Sequence, residues 1–334
     1  MANVISSVAA PASLEWDIII KPLLDDPQIQ ALPFDFIFGP FLNRDLYFNT
    51  QLDKISVKKV ACGWTFNGGA EVTKKTLVPI EIAAAVEQCY IPLVNTVFAF
   101  GLPDGWERGT LSPEVVNFIL EQRAYAFNRD LLSIFLLGDT GLASTYYNMM
   151  DGFYTKLAAG VVAGDGTVDA GAVVAADLAP GTFLATMMDI YDSQTRFLKD
   201  IPKTAKKWIW TDAVYELYTR YLQSTSQDTA GLIQRSAVEN GLEPTKFNGV
   251  DIVVVPIVDE RIEADFSPGS PAVAENPYRI VLTDPTNHKV LMDGAGMIAT
   301  EPWYEKKDDK YYATGSALLA YDYGYGELNV IAGF

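Results

Sequence analysis

The sequence predicts an α+β chain with intertwined helices and strands, not a string of separate units. Three observations carry this expectation. A long helix is signalled at residues 113–137. Strand signals crowd the segment from about residue 278 onward. No internal repeat or low-complexity linker divides the chain. Its 334 residues can bury a sizeable core, and 49% apolar with 20% charged residues is an ordinary globular composition.

Residues 1–50 lack periodicity. Pro11, Pro22, Pro27, Pro33 and Pro40 interrupt any helix, and aromatics are scattered through PFDFIFGPF. This reads as an extended arm that must pack on its own body or on a neighbour. Residues 52–82 read as a long hairpin. LDKISVKKVACGW and EVTKKTLVPIEI are its β-rich arms, Asn67-Gly68-Gly69 is its turn, and Lys74 and Lys75 point outward. Neither arm has a continuous apolar face, and an isolated hairpin is marginal, so stability is expected from a surface lying against it.

Ser112 suits a helix N-cap, Pro113 the first helical position and Glu114 the positive end of the dipole. The helix runs unbroken to Gly138, which is about 38 Å at 1.5 Å per residue. Val115, Phe118, Ile119, Tyr125, Ala126 and Leu132 recur at helical spacing along it. Residues 139–180 are Gly/Ala/Asp-rich loop, apart from a short helix around MMDGFYTKLAAG. A helix is expected over 182–199, a strand at KKWIW, and a helix AVYELYTRYLQS capped by Thr211 or Asp212. Another helix fits around 230–240. KFNGVDIVVVPIV reads as a buried strand, and strands recur at YRIVLT, HKVLM, MIATEPWYE, KYYATGSALLAYDY and ELNVIAGF.

Composition removes several functional classes. With 42 acidic against 25 basic residues the net charge is −17, so there is no basic face for general nucleic-acid binding. The two cysteines, Cys62 and Cys89, form no CxxC or Cys/His cluster, so neither a zinc site nor a disulfide framework is expected. The N-terminus lacks the basic and apolar regions of a signal peptide, and no apolar run reaches 18 residues.

Chemical near-motifs each fail in context. GAGMIA at 294–299 spells a dinucleotide-binding loop, but a β-like segment with Pro302 follows where a helix should start. Asp165, Thr167 and Asp169 alternate as in a calcium loop, but Ala170 and Ala176 stand where Gly and Glu are needed. The single histidine, His288, has no nucleophile motif near it and reads as a surface residue at a strand end. Tyr215, Tyr218 and Tyr221 share a helix face, with Trp208 and Trp210 just before, and read as core. Lys203, Lys206 and Lys207 form a small solvated or inter-subunit cluster. No cofactor and no enzymatic activity are expected.

The order of arm, hairpin, long helix, mixed middle and β-rich finish resembles the major capsid proteins of tailed bacteriophages, the Hong Kong 97 fold family. LLGDT (136–140) followed by YYNMMDG (146–152) resembles that family's Gly-Asp then Asp-Gly pattern after its spine helix. KKWIWTDAVYELYTRYL, FNGVDIVVVPIVDE and YDYGYGELNVIAGF resemble its entry to the axial domain, its following short-helix-and-strand segment and its closing strand.

The resemblance implies an N-terminal arm at 1–50, an extended loop at 51–90 and a peripheral domain with the spine helix at 91–200. An axial domain at 201–285 and a return to peripheral β-structure at 286–334 would follow. It implies a subunit that assembles with itself into pentamers and hexamers of an icosahedral shell in the virion, built in the host cytoplasm. Scaffold, portal and decoration proteins are implied as further partners. Packaged DNA would be met only through loose, non-specific contact, and no membrane is involved. Lys54, Lys58, Lys59, Trp64, Phe66, Lys74 and Lys75 are the candidate inter-subunit contacts. An encapsulin-type compartment shell and an acidic hydrolase are the alternative readings.

Overall fold

The computed structural model describes residues 32, 34–39, 43–49, 72–89, 113–224, 245–266, 276–293, 298–299, 303–308 and 310–334. Most of the arm, the hairpin tip at 67–69, Ser112, the helix expected at 230–240 and residues 294–297 of GAGMIA lie outside these.

The described chain opens with strands β1 (Asp35–Gly39), β2 (Arg44–Asn49), β3 (Val72–Leu77) and β4 (Ile80–Cys89). Helices α1 (Pro113–Leu137) and α2 (Phe153–Ala163), the short β5 (Val168–Asp169), α3 (Phe183–Asp192) and α4 (Arg196–Asp200) come next. The middle holds β6 (Lys207–Thr211), α5 (Asp212–Ser224), β7 (Lys246–Phe247), β8 (Val250–Val255) and α6 (Pro256–Asp265). Strands β9 (Ile280–Thr283), β10 (His288–Asp293), β11 (Ile298–Ala299), β12 (Trp303–Glu305), β13 (Lys310–Tyr323) and β14 (Asn329–Ala332) follow.

Three sheets organise these elements. The first runs β1-β10-β13-β11, with β4 and β12 also pairing the long β13. The second runs β5-β14-β9-β6-β8-β7, and β2 and β3 form a separate ribbon. The second sheet is buried on both faces, which explains its continuous apolar runs. Ile209, Val253, Val255, Val281 and Ile331 face a core built with α1, α2, α6 and the first sheet. Trp208, Trp210, Val250, Ile280, Leu282, Val330 and Ala332 face a second core with α3 and α5. The alternation of side chains across a strand thus divides one sheet between two cores. Tyr218 lies in the second core, with Tyr215 and Tyr221 packed against it, as the helical spacing implied.

The long helix ends where the sequence places it; of the stripe read from periodicity Leu132 is buried, Tyr125 and Ala126 are exposed, and the side chains of Val115, Phe118 and Ile119 lie outside the described residues. Tyr125 is 66% exposed, and burial falls on Phe127, Asn128 and nearly every position from Leu131 to Leu137. The last two turns are enclosed because they enter the larger core between α2, α6 and both sheets. Gly138 then stops the helix at a close backbone crossing. The Gly152 amide donates to the Gly138 carbonyl (2.8 Å) and the Asp139 amide to the Tyr147 carbonyl (2.8 Å). A Cβ on Gly138 would collide with the Met150 and Ile134 carbonyl oxygens, and one on Gly152 would meet the Phe135 carbonyl. Asp151 closes the crossing by accepting from the Thr140 amide (2.9 Å) and hydroxyl (2.7 Å). The Gly-Asp then Asp-Gly pattern is therefore a backbone-packing requirement.

Three expected elements are corrected. The helix over 182–199 is two helices, because Thr195 turns extended (ψ 164°) and its side chain accepts from the Leu198 amide (3.1 Å), capping α4. The apolar run at 250–258 is a strand only to Val255; Pro256, at the first helical position, starts α6. The return arm at 71–82 divides at Val78–Pro79, so that β3 pairs β2 while β4 pairs β13 over ten residues, Ile80↔Leu319 to Cys89↔Lys310.

Candidate functional site

The candidate contact residues belong to the β2–β3 ribbon and the segment between its strands. Lys54, Lys58, Lys59, Trp64 and Phe66 lie outside the described residues. Lys74 and Lys75 are described, and they point to opposite faces, as neighbours on a strand must. Lys74 is exposed and pairs with Asp45 across the ribbon (2.8 Å), where the Thr76 hydroxyl also donates to Asp45 (2.8 Å). Those two groups hold the Asp45 carboxyl below its ordinary value.

Lys75 turns inward instead of outward. Its ammonium donates to the Tyr323 carbonyl (2.9 Å), lies over the Tyr323 ring (4.5 Å) and sits 4.0 Å from Asp322. Lys156 on α2 approaches Asp322 from another side (3.4 Å) and donates to the Tyr321 carbonyl (2.6 Å). Leu77 is buried against Leu291 and Ala320. Phe48 packs edge-on to Tyr325 (5.4 Å), over Gly324, where any Cβ would strike its ring. The ribbon's base is therefore fixed to β10 and β13 of its own chain. Six cross-strand pairs, Arg44↔Leu77 to Asn49↔Val72, hold the two strands together along this contact.

The residues weighed as chemical sites have structural partners. His288 is a correction: it is fully buried, not a surface residue. Its ring lies 5.0 Å from Phe34, 5.3 Å from Phe153 and stacks on Tyr321. The Thr283 hydroxyl donates to Asn329 Oδ1 (2.7 Å), so it accepts from His288 Nε2–H (2.8 Å). Nδ1 is then bare and accepts the Tyr321 hydroxyl proton (2.8 Å). One neutral tautomer thus joins β10 and β13 of the first sheet to β9 and β14 of the second. Burial pushes its pKa down to about 3. The enclosing aromatics come from three distant segments, which nothing around His288 in the sequence signals.

Lys206 is likewise buried, not solvated, and donates to Gln194 Oε1 (2.8 Å). Lys207 pairs with Asp251. Asp165 accepts from the Tyr323 hydroxyl (2.5 Å) and from the Thr167 amide (3.0 Å) and hydroxyl (2.8 Å). Its oxygens serve a loop turn, which accounts for the calcium-like spacing. Among the described residues no group of three or more His, Cys, Asp or Glu is arranged to hold a metal ion. No helix among them is long and apolar enough to cross a membrane.

The architecture matches solved structures over nearly its whole length. The capsid of the native GTA particle aligns over 99% of this chain and 93% of its own, with a TM-score of 0.59 and 11% identity. The satellite phage P4 procapsid that includes the size-determination (Sid) protein aligns over 94% and 90%, with a TM-score of 0.59 and 9% identity. The capsid of Myoviridae phage XM1 aligns over 91% and 90%, with a TM-score of 0.57 and 11% identity. No protein-family model matches the chain, and no curated protein matches it in sequence. The chain therefore has an α+β capsid fold.

Proposed function

We propose that this protein is the structural subunit of an icosahedral phage head shell, assembling with itself around the genome, and that it is not an enzyme. The carrying observation is the likeness to capsid and procapsid chains over at least nine-tenths of both partners. An end-to-end match is the likeness expected of a whole shell subunit, not of a shared module. That the matched structures include phage capsids and procapsids favours the phage-shell reading over a compartment or a hydrolase.

In this reading the architecture is of the Hong Kong 97 type. The arm is 1–50, the extended loop 51–90, the peripheral domain with α1 as spine 91–200, the axial domain 201–285 and the β-rich return 286–334. The ribbon reaches a neighbouring subunit through Lys54, Lys58, Lys59, Trp64, Phe66 and Lys74, while Lys75 sets the angle at which it leaves the body. One subunit that occupies both pentamers and hexamers needs contacts that close on themselves in two ring sizes. The ribbon, seated on β10 and β13, is the element assigned to those contacts. Scaffold, portal and decoration proteins are further partners. The acidic balance, −17 overall, keeps contact with packaged DNA loose. The site of action is the virion, after assembly in the host cytoplasm.

Deleting residues 64–72 tests this. The variant subunit should fold, with unchanged far-UV circular dichroism, yet yield no stable shells by negative-stain microscopy. Normal shells from it would overturn the role given to the ribbon. Uniform small particles from the unaltered protein would overturn the shell reading itself.

A further inference from the structure

Three buried polar atoms meet where α2, α5, α6 and the approach to β9 converge. Asp259 on α6 accepts through Oδ2 from the amides of Asp212 (2.5 Å) and Ala213 (3.2 Å). These are the first amides of α5, so the cap of one helix is supplied by another. The other oxygen of Asp259, Oδ1, is buried without a partner among the described residues. Arg279, 1% exposed, donates from Nε to the Asn276 carbonyl (3.1 Å) and lies over the Tyr154 ring (4.8 Å), while its Nη2 has no hydrogen-bond partner among the described residues. The Tyr154 hydroxyl is buried and likewise has no hydrogen-bond partner among the described residues.

The groups facing Asp259 are Asp212 from α5, Arg279 before β9 and Tyr154 from α2. Asp212 opposes a charge on Asp259 and Arg279 favours it, with no direct hydrogen bond between Arg279 and Asp259 to fix the pair. Buried polar groups left unsatisfied beside an unpaired cation are costly, and they persist where the surroundings hold them.

We propose that this cluster is a proton-operated latch on the start of α5. With Asp259 charged, α6 holds the first amides of α5 and balances Arg279. One proton on Asp259 removes that charge, weakens both amide bonds and frees the first turn of α5 while Asp259 stays buried and both cores stay packed. The proton thus favours the open turn over the closed one even though it favours the folded chain over the unfolded. Burial raises the Asp259 carboxyl to about 6 against the pull of the two amides, and lowers Arg279 to about 10, so Asp259 is the group that responds in mild acid. The latch is independent of shell assembly, because it lies within one chain.

Amide exchange of the full chain tests it, read at Asp212 and Ala213 and corrected for the intrinsic pH dependence of exchange. Protection should fall about 10-fold between pH 7.5 and 5.0, the ordinary consequence of losing a charged acceptor worth about one decade. Asp259→Asn should show the lower protection at both pH values, and His288→Gln should keep the step. Equal protection at both pH values in the unaltered protein, or a step that survives in Asp259→Asn, overturns the proposal. If Asp259→Asn does not fold, carbon-detected titration of the aspartate carboxyls decides instead. A carboxyl titrating between pH 5 and 7 together with the exchange step supports the latch, and none in that window overturns it.

Discussion

His288 should make the unaltered protein more acid-sensitive than its ionisable surface would. The perturbation is His288→Gln, which keeps a side chain able to donate and accept between Thr283 and Tyr321. In the folded chain the imidazole is fully enclosed and its pKa falls from 6.5 to about 3, with burial as the first cause. The folded value lies below the unfolded one, so the unfolded chain binds the proton first as pH falls. The stability tied to neutral His288 is complete above about pH 6.5 and is lost progressively toward about pH 3.

Between pH 7 and 5 the unfolded chain gains a factor of about 25 in proton binding at this site while the folded chain gains almost none. That is about 2 kcal/mol. Asp259 acts with the opposite sign. Its raised folded value means that protonation favours the folded chain by about 1 kcal/mol over the same interval, so the protein as it stands shows only a shallow net loss. The readout is therefore a difference: urea unfolding of dilute subunits at pH 7 and pH 5, for the unaltered chain and for His288→Gln. The variant should be less stable at pH 7, and its acid loss should be smaller by about 2 kcal/mol. Equal acid losses in the two proteins would refute the neutral, fully enclosed imidazole.

Three further outcomes follow from packing. Gly138→Ala and Gly152→Ala should each lower stability by about 1–3 kcal/mol in urea unfolding, because a methyl group cannot enter the crossing without moving backbone. Trp210→Ala should cost about 3–5 kcal/mol, since the ring is fully buried in the second core and truncation leaves a large cavity. At the ribbon base, Leu77→Ala should cost about 2–3 kcal/mol, whereas Asp45→Asn should leave the unfolding midpoint unchanged within error. The leucine is 2% exposed, and the Lys74–Asp45 pair is at the surface.

What was legible in the sequence follows from how local each signal is. The end of α1 at Gly138, the strands β6, β9, β10, β13 and β14, and the Tyr218 core face are set by short-range pattern, and all stand in the structure. The misreadings involve partners distant in the chain. Tyr125 keeps helical spacing with apolar neighbours, but which face is covered depends on α2, α6 and two sheets arriving later. His288 and Lys206 are polar by type, and only the tertiary arrangement brings Thr283, Tyr321 and Gln194 to satisfy them. Thr195 is ambiguous in sequence, since a threonine tolerated inside a helix also caps one well. The latch cluster was invisible for the same reason: Tyr154, Asp259 and Arg279 share no motif.

The same distinction explains how a fold persists at 9–11% identity while no family model matches. A sheet covered on both faces requires apolar side chains of about the right volume at every position, and many sequences meet that condition. The apolar positions of β9 and β14, Ile280 to Leu282 and Val330 to Ala332, place no demand on identity beyond it. Identity is demanded where backbones touch or a buried polar atom needs a matching partner. Among the described residues such places include the Gly138–Gly152 crossing, the His288 clasp between the sheets, and Lys75 on the Tyr323 carbonyl at the ribbon base. Substituting pattern positions conservatively should therefore be tolerated in number, whereas single changes at these three joints should alter how the sheets and the ribbon are set relative to one another. In the proposed shell reading, where closure depends on the angles between subunits, the joint at Lys75 is the one expected to turn a small change of stability into a change of assembly.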